Sequence, residues 1–465
     1  MRVAVLALLI CSLFLVSSAL ADDPAQPVAA RAAEFENNAL FRYVEQPDDS
    51  YGWTKRREGK IGKGTYVELT LTSQTWRGIT WKHQLFIVKP STMKADARHA
   101  LLVIEGGRWS DGLDQPAGVD DRLPREAPMF AELAEQLQTP MAVLLQVPHQ
   151  PIFDGKVEDQ IIAYTFEQFL QTKDDTWPLL LPMTKSAVRA MDAVTEFAAD
   201  ECSLDIKEFT VTGASKRGWT TWLVGAVDPR VSSIAPMVID TLNLAEQLPH
   251  QVAVWGDYSR QIHDYTDRGL HKHLATEAGQ ALREIVDPYS FRALLKQPKL
   301  IIIGTNDPYW ALGALDFYWN DLVGEKYVLY VPNNHHGLND YPRVLGSITA
   351  LHHRNGSGRK LPALDWKFAN SDGKLTLAMQ TDTAPEKVRV WMAASKTQDF
   401  RQARWIHADL ATPGEDGRAE YSLEIPTTGY LAMFGEWQFA GETMPYFLST
   451  NVKMVSRDGG DEAAQ

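Results

Sequence analysis

The first clear pattern of hydrophobic and polar positions lies between residues 66 and 88. β-favouring side chains fill two runs there, 66–72 and 81–88. Alternating runs of this length are typical of half-buried antiparallel strands. The pattern therefore predicts that a β-hairpin leads into the rest of the fold.

After Pro90 the pattern changes to short, continuous apolar runs separated by stretches with helical spacing. Residues 100–104 and 141–145 are two such runs, and between them Phe130, Leu133 and Leu137 share one helix face. Buried strands that are linked through helices form parallel sheets. The same alternation predicts a helix at about 183–200, a helix after Ser215, and strands at 209–212, 234–239, 300–303 and 327–331.

Two stretches interrupt this α/β alternation. Residues 241–299 are polar, aromatic and helix-forming, with no apolar run that predicts a sheet strand. Because insertions of this length usually carry their own structure and often cover a site, we expect a helical cap over the sheet edge. A loop-rich stretch then ends the alternation, so the predicted α/β domain covers residues 22–358.

Residues 359–456 contain only strand-like runs. These runs lie at 375–379, 387–391, 421–425 and 430–434, and turn residues separate them. Short strands with regular turn signals predict a small Ig-like β-sandwich. We expect this sandwich to be a separate domain that is followed by a polar tail at residues 457–465.

Residues 1–21 have the features of a signal peptide. Arg2 precedes an apolar run from residue 3 to residue 16, and Ala19 and Ala21 are small residues suited to cleavage. Cleavage after Ala21 predicts an exported protein, periplasmic or secreted, without stable membrane insertion of the mature chain. Cys202 is then the one remaining cysteine, which excludes an intramolecular disulfide.

Composition and charge narrow the class of protein. Of 465 residues, 45% are hydrophobic and 23% are charged, which is typical of a globular protein and excludes disordered, collagen-like and multi-span membrane chains. Without residues 1–21, 59 acidic side chains outnumber 45 basic ones, and this net charge of −14 argues against a nucleic-acid partner. The sequence has no glycine-rich phosphate loop, no H-E-x-x-H motif and no cysteine cluster, so we expect no cofactor and no metal.

The sharpest local signal is the sequence GASKRG at residues 213–218, where a predicted strand gives way to a predicted helix. A nucleophile elbow has this context, because its serine lies on a strained turn that needs small flanking residues. Gly213 and Gly218 flank Ser215, but Arg217 stands where the usual G-x-S-x-G pattern has its second glycine. The alternative is an ordinary turn that caps a helix.

A serine nucleophile needs a base and an orienting acid, which in α/β-hydrolases follow it along the chain in the order acid, then histidine. Asp307 and His336 each follow a predicted strand, and they come in that order after Ser215. The sequence therefore predicts a catalytic triad of these three residues on an α/β-hydrolase fold. His335 is the alternative base, and Asp240, at the end of the strand before the cap, is the alternative acid.

Backbone donors and a substrate-binding surface complete the predicted site. Lys216, the residue after the nucleophile, and Gly107, in the Gly-Gly pair after an earlier strand, are the expected N–H donors of an oxyanion hole. Arg217 is a candidate for binding a substrate carboxylate, and a solvated helix N-terminus is the alternative. Three tryptophans near the predicted sheet edge or cap are candidates for stacking on a substrate, with core packing as the alternative: Trp109, Trp255 and Trp310.

With these motifs the chain is similar to the PhoPQ-activated pathogenicity-related protein family, from about residue 40 to residue 455. The matching segments are 72–77 (TSQTWR), 81–83 (WKH), 213–219 (GASKRGW), 286–289 (VDPY), 304–307 (GTND) and 331–333 (VPN). The resemblance implies a signal-bearing, α/β-hydrolase-like protein with a C-terminal β domain. In the family the last loop resembles Asn-Ala-Gly-His, which places the histidine at His336 and leaves His335 where a small residue is usual.

The expected function is that of an exported serine hydrolase that cleaves an ester or peptide bond in a small-molecule or peptide substrate. The family resemblance adds a link to antimicrobial-peptide resistance. One alternative is a carbohydrate esterase of the glucuronoyl type, which shares the G-x-S-x-x-G spacing and a basic residue after the serine. The other is a catalytically silent binding protein of the cell envelope on a hydrolase scaffold.

Overall fold

The structure is a computed structural model that describes residues 35, 37–93, 96–118, 121–358, 360–411 and 417–457. The predicted signal peptide at residues 1–21, and residues 458–465 of the predicted tail, lie outside these ranges. The α-helices described are α1 (Ala39–Glu45), α2 (Ala127–Leu137), α3 (Asp159–Thr172), α4 (Leu180–Cys202), α5 (Lys216–Val227), α6 (Leu244–Trp255), α7 (His263–Thr266), α8 (Glu277–Val286) and α9 (Tyr341–Ser357). The strands described are β1 (Gly52–Ile61), β2 (Gly64–Trp76), β3 (Ile79–Lys89), β4 (His99–Ile104), β5 (Met141–Leu144), β6 (Glu208–Ala214), β7 (Val231–Met237), β8 (Lys299–Gly304), β9 (Lys326–Val331), β10 (Leu364–Ser371), β11 (Lys374–Thr381), β12 (Lys387–Ser395), β13 (Ile406–Leu410), β14 (Arg418–Glu424), β15 (Tyr430–Phe439), β16 (Tyr446–Ser449) and β17 (Lys453–Ser456).

A parallel sheet forms the centre of the fold. Its strands lie in the order β5, β4, β6, β7, β8, β9, and each neighbouring pair is parallel. β4, β5 and β8 are buried along their whole length, which explains their continuous apolar sequences. Beyond β5, strands β3, β2 and β1 extend the sheet through antiparallel pairs. The predicted α/β architecture and the leading hairpin are therefore confirmed.

Two groups of helices cover this sheet. In one group α4 packs against α1 and α5, and α5 lies directly on β6 and β7. In the other group α2 packs against α9, which contacts β4, β7, β8 and β9. None of the helices in the described part of the chain combines the length and the apolar content needed to cross a membrane.

The interval between β7 and β8 carries helices where the sequence predicts a cap. α6, α7 and α8 lie there, joined by short 3₁₀ turns. The buried side chain of Gln251 on α6 donates from Nε2 to the carbonyl oxygen of Tyr309 over 2.9 Å. The same side chain accepts from the N–H of Ser259 over 3.0 Å. The bond to Tyr309 ties the helical insertion to the loop that follows β8, and the bond from Ser259 holds the insertion together.

The C-terminal strands form two sheets. β10, β11 and β14 form a three-stranded antiparallel sheet, whereas β12, β13, β15, β16 and β17 continue the main sheet beyond β9. The join is made by β16, where Ser449 pairs with Val328 and its Oγ accepts from the N–H of Tyr330 over 3.1 Å. The two sheets pack face to face. They lie so close that a Cβ added at Gly435 of β15 would be 2.4 Å from Met379 Cε on β11.

One hydrophobic cluster runs from the parallel sheet into these C-terminal strands. It contains Leu329 and Val331 of β9 together with Leu377, Val390 and Trp437. The predicted strand runs within residues 359–456 fall in observed strands, except that Ile425 lies one residue beyond β14. The Ig-like strand order stays a prediction. Residues 359–456 share their core with the α/β part, so the boundary at residue 358 is a change of architecture within a continuous core.

Two histidines, His83 and His99, are buried in the core. His83 lies between the Oγ of Ser73, 3.0 Å from Nε2, and the carbonyl oxygen of Leu145, 3.1 Å from Nδ1. His99 stacks on His352 with ring centroids 3.9 Å apart. Burial lowers the pKa of His83 to about 3 and that of His99 to about 4. The folded chain therefore holds both imidazoles neutral in mild acid.

We expect the free energy of unfolding to fall as the pH drops below 6.5, the ordinary pKa of histidine. The unfolded chain binds protons there that folded His83 and His99 do not, so each contributes about 1.4 kcal/mol of lost stability per pH unit until its folded pKa is reached. Chemical denaturation at a series of pH values measures this slope. His99→Gln should reduce it, and the exposed control His407→Gln should not; equal slopes in all three proteins would contradict the assignment.

Candidate active site

Ser215 lies on the tight turn between β6 and α5, with φ 59° and ψ −127°. A residue with a side chain keeps a positive φ only where its surroundings enforce it. The N–H of Ser215 donates to the carbonyl oxygen of Met237 on β7 over 2.8 Å. A Cβ at Gly213 would lie 2.8 Å from the carbonyl oxygen of Arg217, and one at Gly218 would lie 2.8 Å from that of Met237. The end of β7 thus approaches the helix closely at position 218, so a glycine is needed there. This explains the G-x-S-x-x-G spacing.

His336 and Asp307 form a hydrogen-bonded pair on the loops after β9 and β8. The distance from His336 Nδ1 to Asp307 Oδ2 is 2.8 Å. Because a carboxylate accepts, Nδ1 donates and the lone pair of the imidazole lies on Nε2. The other carboxylate oxygen accepts from the N–H of Tyr309 over 2.8 Å, and the Tyr309 ring stacks on His336 with centroids 4.0 Å apart. The histidine is therefore fixed in orientation from two sides.

The Nε2 atom of His336 is buried and unpaired. Among the described residues no group forms a hydrogen bond with it, and this includes the hydroxyl of Ser215. Catalytic hydrogen bonds are often longer in free enzymes than in their substrate complexes. The structure thus provides an oriented acid–histidine pair and a strained serine, without a direct hydrogen bond between them.

The alternative base and acid have other partners. His335 is exposed, and its Nδ1 lies 2.9 Å from the carbonyl oxygen of Asn306. Asp240 is buried and accepts from the hydroxyl of Tyr318 over 2.7 Å. Burial raises the pKa of Asp240 to about 7, against a smaller lowering effect of this hydrogen bond. Neither residue takes part in an acid–histidine pair.

Both predicted oxyanion donors lie on segments that meet at Arg217. Lys216 is the first residue of α5, so its N–H has no acceptor within the helix. Gly107 has a φ of 121°, which favours glycine, and its carbonyl oxygen accepts from Gln150 Nε2 over 2.8 Å. A Cβ at Gly106 would lie 2.4 Å from the guanidinium of Arg217, so the loop after β4 rests directly on the elbow.

A charge network surrounds the two cations beside the serine. Lys216 Nζ lies 3.0 Å from Glu158 and 3.0 Å from Asp159. Arg217 donates to Glu158 over 2.7 Å and to the carbonyl oxygen of Val147 over 2.6 Å. Arg217, which the sequence suggests for binding a substrate carboxylate, is therefore already neutralised within the protein.

Glu158 stays charged in this network. Burial alone would raise its pKa, but the hydrogen bond and charge of Arg217 and the charge of Lys216 lower it to about 2. The sequence gives no signal for this residue, because it lies on the turn before α3, far along the chain from the elbow. In the described ranges no group of three or more histidine, cysteine or acidic side chains is placed to hold a metal ion.

The three candidate tryptophans occupy different environments. Trp310 lines a cavity together with Ser215. Trp109 is half-buried beside the ring of His149, and Trp255 is covered by the guanidinium of Arg401 at 4.0 Å. Only Trp310 of the three thus lines the cavity of the serine, and the neighbouring Tyr309 lines it as well.

Two cavities adjoin the candidate site. The smaller, about 100 Å³, is lined by Ser215 and lies beneath the helical insertion. The larger, about 550 Å³, is lined by His336, Gly107 and Arg217, and extends between α2 and α9. Ligand sites typically have volumes and apolar linings of the latter kind.

A C-terminal loop supports the segments that carry the acid and the histidine. The buried side chain of Asn306 donates from Nδ2 to the carbonyl oxygens of Phe400, Arg401 and Ala403, at 3.2, 3.3 and 2.8 Å. Asn306 immediately precedes Asp307, so the loop between β12 and β13 helps to position the acid.

Comparison with known proteins assigns the chain to a family. The model of the PhoPQ-activated pathogenicity-related protein family matches residues 40–401. The chain belongs to this family. The match covers Ser215, Asp307 and His336, and it confirms the resemblance drawn from the sequence motifs.

Relatives of this family member include a eukaryotic protein. "Autocrine proliferation repressor protein A" of Dictyostelium discoideum is 32% identical over 442 residues, which cover 88% of this chain and 87% of the relative. Among solved structures, acetyl xylan esterase 1 from Thermoanaerobacterium sp. JW/SL YS485 is 14% identical, with a TM-score of 0.44 over 67% of this chain and 93% of the esterase. A glucuronoyl esterase from Solibacter usitatus is 12% identical, with a TM-score of 0.40 over 68% of this chain and 93% of that chain. With TM-scores this low, neither likeness bears on the reaction of this chain.

Glu158→Gln should destabilise the turn that carries Ser215. The change removes the carboxylate that pairs with Lys216 and Arg217, while Asp159 still pairs with Lys216. Because 35% of the Glu158 side chain is exposed, we expect the free energy of unfolding to fall by about 1–2 kcal/mol, less than for a fully buried pair. Denaturant titration measures the change. The exposed control Glu420→Gln should have no effect, and equal stability of both variants would contradict the network's role.

Asn306→Ala should loosen the loop that carries the acid. The change leaves the carbonyl oxygens of Phe400, Arg401 and Ala403 without this donor. We expect a loss of about 1–3 kcal/mol in the free energy of unfolding, measured by denaturant titration. Asn320→Ala, at an exposed position, is the control. A variant as stable as the wild type would show that the C-terminal loop does not support the site.

Proposed function

We propose that the protein is an exported serine hydrolase that cleaves an ester or peptide bond through an acyl-enzyme. Ser215 is the nucleophile, His336 the general base and then acid, and Asp307 the residue that orients the histidine. The observation that carries this proposal is the strained serine on the same sheet edge as the Asp307–His336 pair, in which Asp307 is buried, His336 is half-buried and Nε2 is unpaired.

The first half-reaction transfers the acyl group to the enzyme. Ser215 Oγ attacks the carbonyl carbon and forms a C–O bond while its proton moves to His336 Nε2. The tetrahedral intermediate then breaks the bond to the leaving group, which takes that proton from Nε2. Asp307, held 2.8 Å from Nδ1, stabilises the imidazolium in between.

The second half-reaction returns the enzyme to its starting state. Water attacks the acyl carbon as its proton passes to His336 Nε2, the bond to Ser215 Oγ breaks, and Nε2 gives the proton back to the serine. In both steps the negative carbonyl oxygen binds the N–H groups of Lys216 and Gly107. Such fixed donors supply much of the rate enhancement of acyl transfer.

The remaining residues of the site act by positioning. Tyr309 stacks on the imidazole and donates its N–H to Asp307, so it holds both members of the pair. Glu158 fixes the first turn of α5 through Lys216 and Arg217, and that turn supplies an oxyanion donor. These contacts support a site that is formed before substrate binds.

Replacing Ser215 or His336 by Ala should abolish turnover. The first change removes the nucleophile and the second its base, so we expect each to lower kcat of ester hydrolysis by about four orders of magnitude or more. Labelling by a fluorophosphonate probe should be lost in Ser215→Ala. His335→Ala is the matched control, since its Nδ1 hydrogen-bonds to the backbone carbonyl of Asn306, and it should stay within about tenfold of the wild type.

Three outcomes would contradict the mechanism in whole or in part. A folded Ser215→Ala protein with full activity would exclude the serine as nucleophile, and loss at His335 with tolerance at His336 would move the base by one residue. A folded wild-type protein that neither reacts with the probe nor hydrolyses any ester would favour the silent binding protein instead. Circular dichroism confirms folding in each case.

A further inference from the structure

Different residues of the proposed active site line the two cavities. Ser215 and Lys216 line the smaller cavity but not the larger, whereas His336, Gly107 and Arg217 line the larger but not the smaller. Tyr309 lines the smaller cavity, and its ring stacks on His336. The proposed nucleophile and the proposed base therefore line separate cavities.

The smaller cavity is a shallow apolar space under the helical insertion. Its volume is about 100 Å³. Aliphatic side chains of the insertion form much of its lining, among them Leu244, Leu248, Ile262, Leu270 and Leu282. A compartment of this size and chemistry accepts a short apolar group and excludes a long one.

The larger cavity has room for a bulky group. Its volume is about 550 Å³, within the range of small-molecule sites. α2 contributes Phe130 and Leu133, α9 contributes Val344 and Ile348, and the sheet contributes further apolar side chains such as Phe86. This compartment therefore favours a large group that is mainly apolar.

The chemistry of acyl transfer decides which part of a substrate enters each cavity. The acyl carbon becomes bonded to Ser215 Oγ, so the acyl chain extends beside the serine. The leaving group takes its proton from His336 Nε2, so its oxygen must come within hydrogen-bond reach of that atom. The acyl chain is thus matched to the smaller cavity and the leaving group to the larger one.

From this geometry, and on the basis of the proposed function, we infer that the substrate is an ester of a short, apolar acyl group with a large, mainly apolar alcohol. Arg217 and Lys216 are neutralised by Glu158 and Asp159, so these two cations do not select a charged acyl group. Discrimination rests instead on the unequal volumes of the two compartments.

Two series of esters test the inference with the full-length protein. In one series the alcohol of an acetate ester grows from ethyl to octyl, and in the other the acyl chain of an ethyl ester grows from acetyl to octanoyl. We expect kcat/KM to rise about fourfold per methylene along the alcohol series, since each buried methylene contributes favourably. Along the acyl series kcat/KM should fall within the first few carbons.

Variants that narrow one compartment separate the two effects. Leu133→Trp in the larger cavity should remove the preference for long alcohols, and Leu248→Trp in the smaller cavity should restrict the acyl series further. If Leu133→Trp does not fold, Val344→Phe makes a smaller change in the same cavity. Ile406→Trp, at an exposed position on β13, adds the same ring elsewhere and should leave both series unchanged.

The outcomes distinguish this inference from the function on which it depends. Preference for long alcohols and short acyl groups, altered by the cavity variants as described, supports it. Ester hydrolysis with the opposite preference, or with no dependence on either length, overturns the assignment of the cavities and leaves the serine mechanism intact. Failure of the folded protein to hydrolyse any ester and to react with a fluorophosphonate overturns both.

Discussion

The first turn of α5 lies so close to β6 and β7 that no side chain fits at Gly213 or Gly218. This contact holds Ser215 at a positive φ that its own preferences oppose, and the hydrogen bond from its N–H to β7 fixes the turn. The other features of the site depend on the same turn. The helix begins at Lys216, which leaves an N–H without a helical acceptor, and the side chain of Arg217 supports the loop that contains Gly106.

A close approach of this kind places two cations next to Ser215, and buried charges are costly unless they are paired. Glu158 and Asp159, at the start of α3, provide the compensation for Lys216 and Arg217. Three separate parts of the chain thus meet in one network: the elbow, the turn before α3, and the loop after β4. The charges of Lys216 and Arg217 beside the serine are thereby balanced.

The sequence predicted those features that depend on local patterns. Continuous apolar runs located the parallel strands, and the order of Ser215, Asp307 and His336 located the loops that the structure brings to one edge. Glu158 could not be found in this way, because its role comes from pairing with a distant segment and leaves no periodic signal. The sequence analysis also missed strand β1, whose sequence is polar, and the continuation of the main sheet into β16. Both depend on pairing with distant segments.

The join between β9 and β16 has a consequence for solubility. Without its C-terminal neighbour, β9 would be the outermost strand of the parallel sheet, and its unpaired N–H and C=O groups would form a template for strands of other chains. The join moves the end of the sheet to β13, a short strand that carries exposed His407 and the charged Asp409. Short, charged outer strands resist intermolecular pairing. The C-terminal strands therefore protect an aggregation-prone edge, and β13 is the segment on which that protection depends.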